Sequence, residues 1–192
     1  MTDSPKPDAA ATRAKGRRTL LLLVAVTIAP VIASYSMYYF FPRDQRTNYG
    51  ELLAMAAPPL AGVRDGKPFE LAQMRGKWVL AIAAPGACDA GCQQALYATR
   101  QARTIQGREK ERVQRVWLVT DDAAPDMALL QQHPDLAIAR VPREALAGLP
   151  AGIDHLYLID PLGNLVLAFP RDPDIRKVAK DIERVLRASR IG

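Results

Sequence analysis

The stretch "KWVLAIAAPGACDAGCQQAL", Lys77 to Leu96, decides how the rest of the chain is read. Lys77 to Ala84 is a continuous apolar run ended by Pro85-Gly86, the pattern of a central strand buried on both faces. From Cys92 to Gln106, "CQQALYATRQARTIQ" places apolar or small residues at helical spacing with few breakers, which predicts a helix. At this strand-to-helix junction sit the only two cysteines of the chain, Cys88 and Cys92. Their spacing is one residue longer than a redox C-x-x-C.

Working outward, "GVRDGKPFELAQM" shows two short alternating runs about Asp65-Gly66, a two-residue hairpin signal. Downstream, "RVQRVWLVTDD" predicts a second strand, and "PDMALLQQH" a short helix with Pro125 near its start. "LAIARVP" predicts a third strand, and "HLYLIDPLGNLVLAF" a hairpin turning at Asp160 to Asn164. "DPDIRKVAKDIERVLRAS" closes the chain as a helix with Ile175, Val178, Ile182, Val185 and Leu186 on one face. The whole order is hairpin, strand, helix, strand, helix, strand, hairpin, helix. That is an α/β chain with the thioredoxin-like arrangement, expected over residues 60–192. Sites in open α/β sheets gather beyond the carboxyl ends of strands, which is where Cys88 falls.

The N-terminal part has a different character. Residues 1–18 are polar and basic, with Lys6, Arg13, Lys15, Arg17 and Arg18 against Asp3 and Asp8. Residues 19–41, "TLLLLVAVTIAPVIASYSMYYFF", carry no charge and are long enough to cross a hydrocarbon core of about 30 Å as a helix. Pro30 is tolerated better in such a helix than in a soluble one. A cleaved signal peptide has a shorter apolar run ending in small residues. Here the run ends in Tyr35, Tyr38, Tyr39, Phe40 and Phe41, an interfacial aromatic belt, so an uncleaved single-pass anchor is expected. The positive-inside rule then puts the tail in the cytoplasm of a bacterial inner membrane and the C-terminal domain in the periplasm. Residues 42–59 read as a linker closed by Pro58-Pro59. Half of the formal net charge of +6 lies in the basic tail, and the remaining charges are mixed in sign. The basic stripe of a nucleic-acid-binding protein is therefore absent.

At a helix start, positions i and i+4 share a face, so both sulfurs point the same way. Unpaired N–H groups and the helix dipole favour thiolates there. Three chemistries fit the pair. Two thiolates clasp a soft ion such as Cu(I) or zinc. A dithiol exchanges with client disulfides, Cys88 attacking and Cys92 resolving. An oxidised pair in the periplasm serves as a structural disulfide, although so short a loop restrains the unfolded chain little. Copper held by two sulfurs calls for a third ligand, and the chain has two histidines. His133, in "QQHPDL", reads as a solvated helix end. His155, in "GIDHLYLID", stands directly before the late apolar strand, whose start lies beside the cysteine-bearing helix in thioredoxin folds.

From Pro59 to Ser189 the chain resembles the Sco/SenC family, the membrane-anchored, thioredoxin-like copper chaperones of cytochrome oxidase. The resemblance is carried by "RGKWVLAIAAPGACDAGC", "VWLVTDD" and "IDHLYLIDPLGNLV". It implies copper, Cu(I) or Cu(II), one ion per domain, on Cys88, Cys92 and His155, with Asp154 before the histidine and Asp121 at the acidic position after the second strand. It further implies that the partner is the copper-accepting subunit of a terminal oxidase, and that the chain works as a metallochaperone without turnover. Where the family reads C-P-x-x-C-P, this chain has Asp89 and Gln93 at the proline positions. The segment from Cys92 to His155 is short for the family. Periplasmic thiol-disulfide reductases of this fold read G-V-P-T-x-F-L-I-D at the matching strand. Their proline becomes Asp154 here, followed by His155. Two other readings stand beside the chaperone: a thiol-disulfide reductase using Cys88 and Cys92, and a non-catalytic assembly scaffold.

Overall fold

The computed structural model describes residues 9–40, 48–153, 155–189 and 191. The first eight residues of the basic tail, Phe41, the linker up to residue 47, and Asp154 lie outside them. The chain divides into two units, Met1–Arg46 and Thr47–Gly192.

The first unit contains one helix, α1 (Ala9–Phe40), with Pro30 inside it. Within α1, Arg17–Met37 is long and apolar enough to span a bilayer. The helix starts before the apolar run, because "AAATRAK" is made of good helix formers with no breaker. The Thr27 hydroxyl donates to the carbonyls of Leu23 and Val24, so this polar group is satisfied within the helix.

The second unit is a single eight-stranded sheet. Its strands are β1 (Glu51–Ala56), β2 (Ala61–Arg64), β3 (Lys67–Glu70), β4 (Trp78–Ala84), β5 (Val113–Val119), β6 (Leu136–Arg140), β7 (His155–Ile159) and β8 (Asn164–Pro170). The order across the sheet is β1-β8-β7-β4-β5-β6-β2-β3. β4 runs parallel to β5 and antiparallel to β7, while β6 runs parallel to β5. Three helices complete the unit: α2 (Ala90–Ile105), α3 (Met127–Gln131) and α4 (Ile175–Ala188).

The apolar run that suggested a central strand is one: every residue of β4 is buried. Alternation sorts its side chains into two cores. Trp78, Leu80, Ile82 and Ala84 face a core shared with Leu96 of α2 and with Val178, Ile182 and Leu186 of α4. Val79, Ala81 and Ala83 face a second core with Leu60, Phe69, Met74, Leu146 and Tyr157. Each fully buried Leu or Phe contributes about 1.5–3 kcal/mol, and covering both faces is what a parallel pair requires.

The hairpin turns fall where expected. Asp65 and Gly66 both have positive φ, 51° and 73°, as a two-residue primed turn demands. Asp160 closes the late hairpin by accepting from the amides of Leu162 and Asn164.

The linker is where the fold departs from the sequence reading. Within residues 42–59, Glu51–Ala56 is β1, paired antiparallel with β8. Just before it, the amides of Tyr49 and Gly50 donate to the buried Asp181 carboxylate of α4 at 2.7 and 2.9 Å. Gly50 lies so close to Phe169 that a Cβ would come within 2.6 Å of its ring. The run "ELLAMA" therefore belongs to the sheet. Its partners lie more than a hundred residues downstream, out of reach of any local pattern.

Candidate thiol and metal site

The turn between β4 and α2 is built from side-chain caps. Asp89 is the N-cap of α2 and accepts from the Cys92 amide at 2.8 Å. The Gln93 side chain donates to the Cys88 carbonyl at 3.1 Å. Asp89 and Gln93 stand at the two proline positions of the Sco pattern, and they fix the turn with hydrogen bonds. Gly86 donates to the Asp121 carboxylate at 2.8 Å, tying the turn to the chain beyond β5. A Cβ on Gly86 would lie 2.0 Å from the Ala123 carbonyl oxygen, so this crossing is open only to glycine.

Within this frame Cys88 and Cys92 form a disulfide, with Cα atoms 5.2 Å apart. Both are buried, 4% and 2% exposed. Cys88 has φ of +25°, a conformation that costs a side-chain-bearing residue energy and is held here by the surrounding caps. A disulfide sulfur is not a thiolate, so the oxidised pair must be reduced before it ligates a metal.

His155 opens β7, next to Pro170 in the β7–β8 ladder. Its ring is half-buried, and the Nδ1 atom is buried without a hydrogen-bond partner among the described residues. Leaving such an atom unpaired costs roughly 1–3 kcal/mol, so it marks a place where a ligand would be welcome. Cys92 and His155 line one cleft of about 260 Å³ together with Asp89, Arg143, Ile153 and Arg171. Cys88 shares the buried core with Cys92. No cluster of three or more His, Cys, Asp or Glu arranged to hold a metal is present among the described residues. The donor set nevertheless suits a soft ion: an imidazole whose residue lines the cleft, and two sulfurs that reduction turns into thiols able to lose their protons to a metal.

Asp89 also pairs with Arg171, beyond the end of β8. The Cys92 amide first, and then the Arg171 guanidinium, hold its carboxyl below the usual range. Arg143 and Arg171 went unnoticed in the sequence, where single arginines after proline carry no motif.

His133 is not a solvated helix end. It is 5% exposed, and its Nδ1 takes a hydrogen bond from the buried Arg115 guanidinium at 3.0 Å. Burial, reinforced by Arg115 and Arg100 and opposed by Asp135, pushes its pKa down to about 4. Arg115 also donates to the Leu96 carbonyl and to Thr99 Oγ1 of α2, and pairs with Asp135 at 2.8 Å. The signal was Arg115 itself, a cation within the largely apolar strand VQRVWLV, which obliges nearby residues to supply acceptors.

The family described as the transmembrane-like, thioredoxin-like C-terminal domain matches residues 78–189. The chain belongs to that family. The companion transmembrane-like N-terminal domain matches residues 10–40, the span of α1. Among solved structures, yeast Sco1 with copper bound is 18% identical, with a TM-score of 0.59 over 72% of this chain and 96% of that one. Apo Sco1 from Thermus thermophilus is 20% identical, with a TM-score of 0.54 over 76% and 98%. A thiol:disulfide interchange protein from Bacteroides is 17% identical, with a TM-score of 0.55 over 72% and 93%. A comparison with curated protein sequences finds no match. At these identities the likeness establishes the thioredoxin-like fold, which this family therefore shares with both copper-bound and thiol-exchanging proteins.

Proposed function

We propose that this chain is a membrane-anchored copper chaperone whose site is Cys88, Cys92 and His155. It serves the assembly of a respiratory terminal oxidase, either delivering copper to the copper-accepting subunit or keeping that subunit's thiols reduced. α1 anchors it in a bacterial inner membrane, with the basic tail in the cytoplasm and the sheet domain in the periplasm. One observation carries the reading: His155, whose buried Nδ1 has no hydrogen-bond partner among the described residues, lines the same cleft as Cys92, the disulfide partner of Cys88. The fold shared with copper-bound yeast Sco1 supports it.

The chain's own residues prepare the site in two stages. A partner dithiol reduces the Cys88–Cys92 disulfide, taking the oxidation itself and leaving two thiols, which lose their protons as metal binds. Asp89 then holds the Cys92 amide and the first turn of α2 in place, and the helix N-terminus favours the thiolates. Copper is cargo here. It leaves by exchange of ligands, one at a time, with the acceptor's own site.

The test is a copper titration of the full chain in detergent with its thiols reduced. One ion should bind per chain, and the Cu(II) form should show a sulfur-to-copper charge-transfer band. Cys88→Ser and Cys92→Ser should abolish tight binding, since a hydroxyl is a hard substitute for a soft thiolate. His155→Ala should weaken binding about 10-fold or more. Binding by His155→Ala equal to the parent's would rule out the three-ligand site.

A second reading rests on the disulfide itself and on the fold shared with the Bacteroides interchange protein. It is a thiol-disulfide reductase, which an insulin-reduction assay would reveal.

A further inference from the structure

The candidate ligands sit on two separate parts of the fold, and an ion pair joins them across the cleft. Cys92 belongs to the first turn of α2 and Cys88 to the turn just before it, whereas His155 belongs to the place where β7 pairs with β8. Pro170 is the ladder partner of His155, and Arg171 is the next residue along. The Arg171 guanidinium crosses to Asp89, and the Asp89 oxygen it meets, Oδ1, is the atom that caps the Cys92 amide. The path between the two residues therefore runs His155, Pro170, Arg171, Asp89, Cys92, through a ladder pairing, a peptide link, an ion pair and a helix cap.

The first turn of α2 is shaped to receive that arginine. A Cβ on Gly91 would lie 2.9 Å from Arg171 Nε and 3.1 Å from its Cζ, so a larger residue there would oblige the guanidinium to shift. Arg171 also lines the cleft beside His155 and Cys92. The ion pair is partly open to water, with side chains 41% and 66% exposed. Exposed pairs of this kind add little to folding stability. What the pair does supply is registry, since a planar guanidinium on a carboxylate fixes distance and direction together.

We infer that Arg171 is a positioning residue: through Asp89 it sets the separation between Cys92 on α2 and the imidazole on β7. The purpose of the clasp rests on the copper reading, but its geometry does not.

The experiment uses the full chain in detergent micelles and has two readouts. In the metal-free protein, NMR should show a cross-peak between the His155 ring and the Cys92 β-protons, and Arg171→Gln should lose it. With Cu(II), Arg171→Gln should lose the nitrogen coupling in the EPR spectrum and bind copper about 10-fold more weakly, while Arg171→Lys recovers part of both. Asp89→Ser keeps the helix cap but removes the ion pair, so it should behave like Arg171→Gln. The double variant Arg171→Gln/His155→Ala should bind no more weakly than His155→Ala alone, because Arg171 acts through the imidazole.

A cross-peak that persists in Arg171→Gln, or that the parent lacks, overturns the clasp, as do additive losses in the double variant. If His155→Ala binds copper like the parent while Arg171→Gln still loses the cross-peak, the three-ligand reading falls and the clasp stands.

Discussion

Arg115 and His133 meet inside the core at 3.0 Å, guanidinium to imidazole Nδ1, beneath the helix that carries Cys92. The imidazole must be neutral to accept this bond, with its proton on Nε2. Acid conditions therefore set two cations against each other in a buried place, and that has a measurable consequence.

Its pKa falls from 6.5 to about 4 in the folded chain, so the unfolded chain takes up a proton first as pH drops. The stability linked to His133 is complete above pH 6.5. It declines as pH falls from 6.5 towards 4 and levels off below, a loss of up to about 3 kcal/mol. Urea unfolding between pH 7 and 4 should show this slope. His133→Asn, which keeps an acceptor oxygen but cannot be protonated, should flatten it. His133→Ala should cost roughly 1–3 kcal/mol at neutral pH by leaving the guanidinium short of an acceptor. An unchanged slope in His133→Asn would remove the histidine from the account.

The turn before the cysteines should be intolerant of a single methyl. Gly86→Ala brings a Cβ to 2.0 Å from the Ala123 carbonyl, and the backbone must move to relieve it. A loss of about 1–3 kcal/mol is expected, with faster reduction of the disulfide by dithiothreitol. Asp121→Asn, which keeps an oxygen for the Gly86 amide, should reduce at the parent's rate. Asp121→Ala should follow Gly86→Ala.

Asp181 is 2% exposed and accepts from two backbone amides ahead of β1. Asp181→Ala leaves both amides short of an acceptor and should destabilise the domain by about 2 kcal/mol or more. Hydrogen exchange of β1 amides should accelerate more than that of β4 amides. Equal acceleration throughout would mean that β1 is not held separately.

Membrane orientation is open to a direct assay. Alkaline phosphatase fused after Gly192 should be active, as expected of a periplasmic C-terminus. An inactive fusion reverses the orientation. A mature protein beginning beyond Tyr39 would show that the apolar helix is removed.

Much of the fold was legible because its decisive signals are local. The run from Lys77 to Ala84, the turn at Asp65-Gly66 and the amphipathic stripe of α4 each report their element within a few residues. The placement of Cys88 and Cys92 at a strand-to-helix junction was legible for the same reason. What failed was non-local. "ELLAMA" becomes a strand only because β8 offers an edge, and His133 is buried only because Arg115 needs an acceptor. Arg171 gains its position from Asp89, 82 residues earlier. No periodicity encodes such meetings, since each depends on where the sheet brings two distant segments together.

The stitch between the start of the domain and α4 also bears on how the chain completes itself. Tyr49 and Asp181 are 132 residues apart in sequence, so joining them in an otherwise unfolded chain costs on the order of 4 kcal/mol in loop closure. β1 is therefore expected to dock late, after β4, β5 and β7 have shortened the path between it and its partners. A domain emerging from its N-terminus exposes both cysteines well before the segments that cover them. For that interval the cysteines stand uncovered, until the residues of β7, β8 and α4 that share their core close over them.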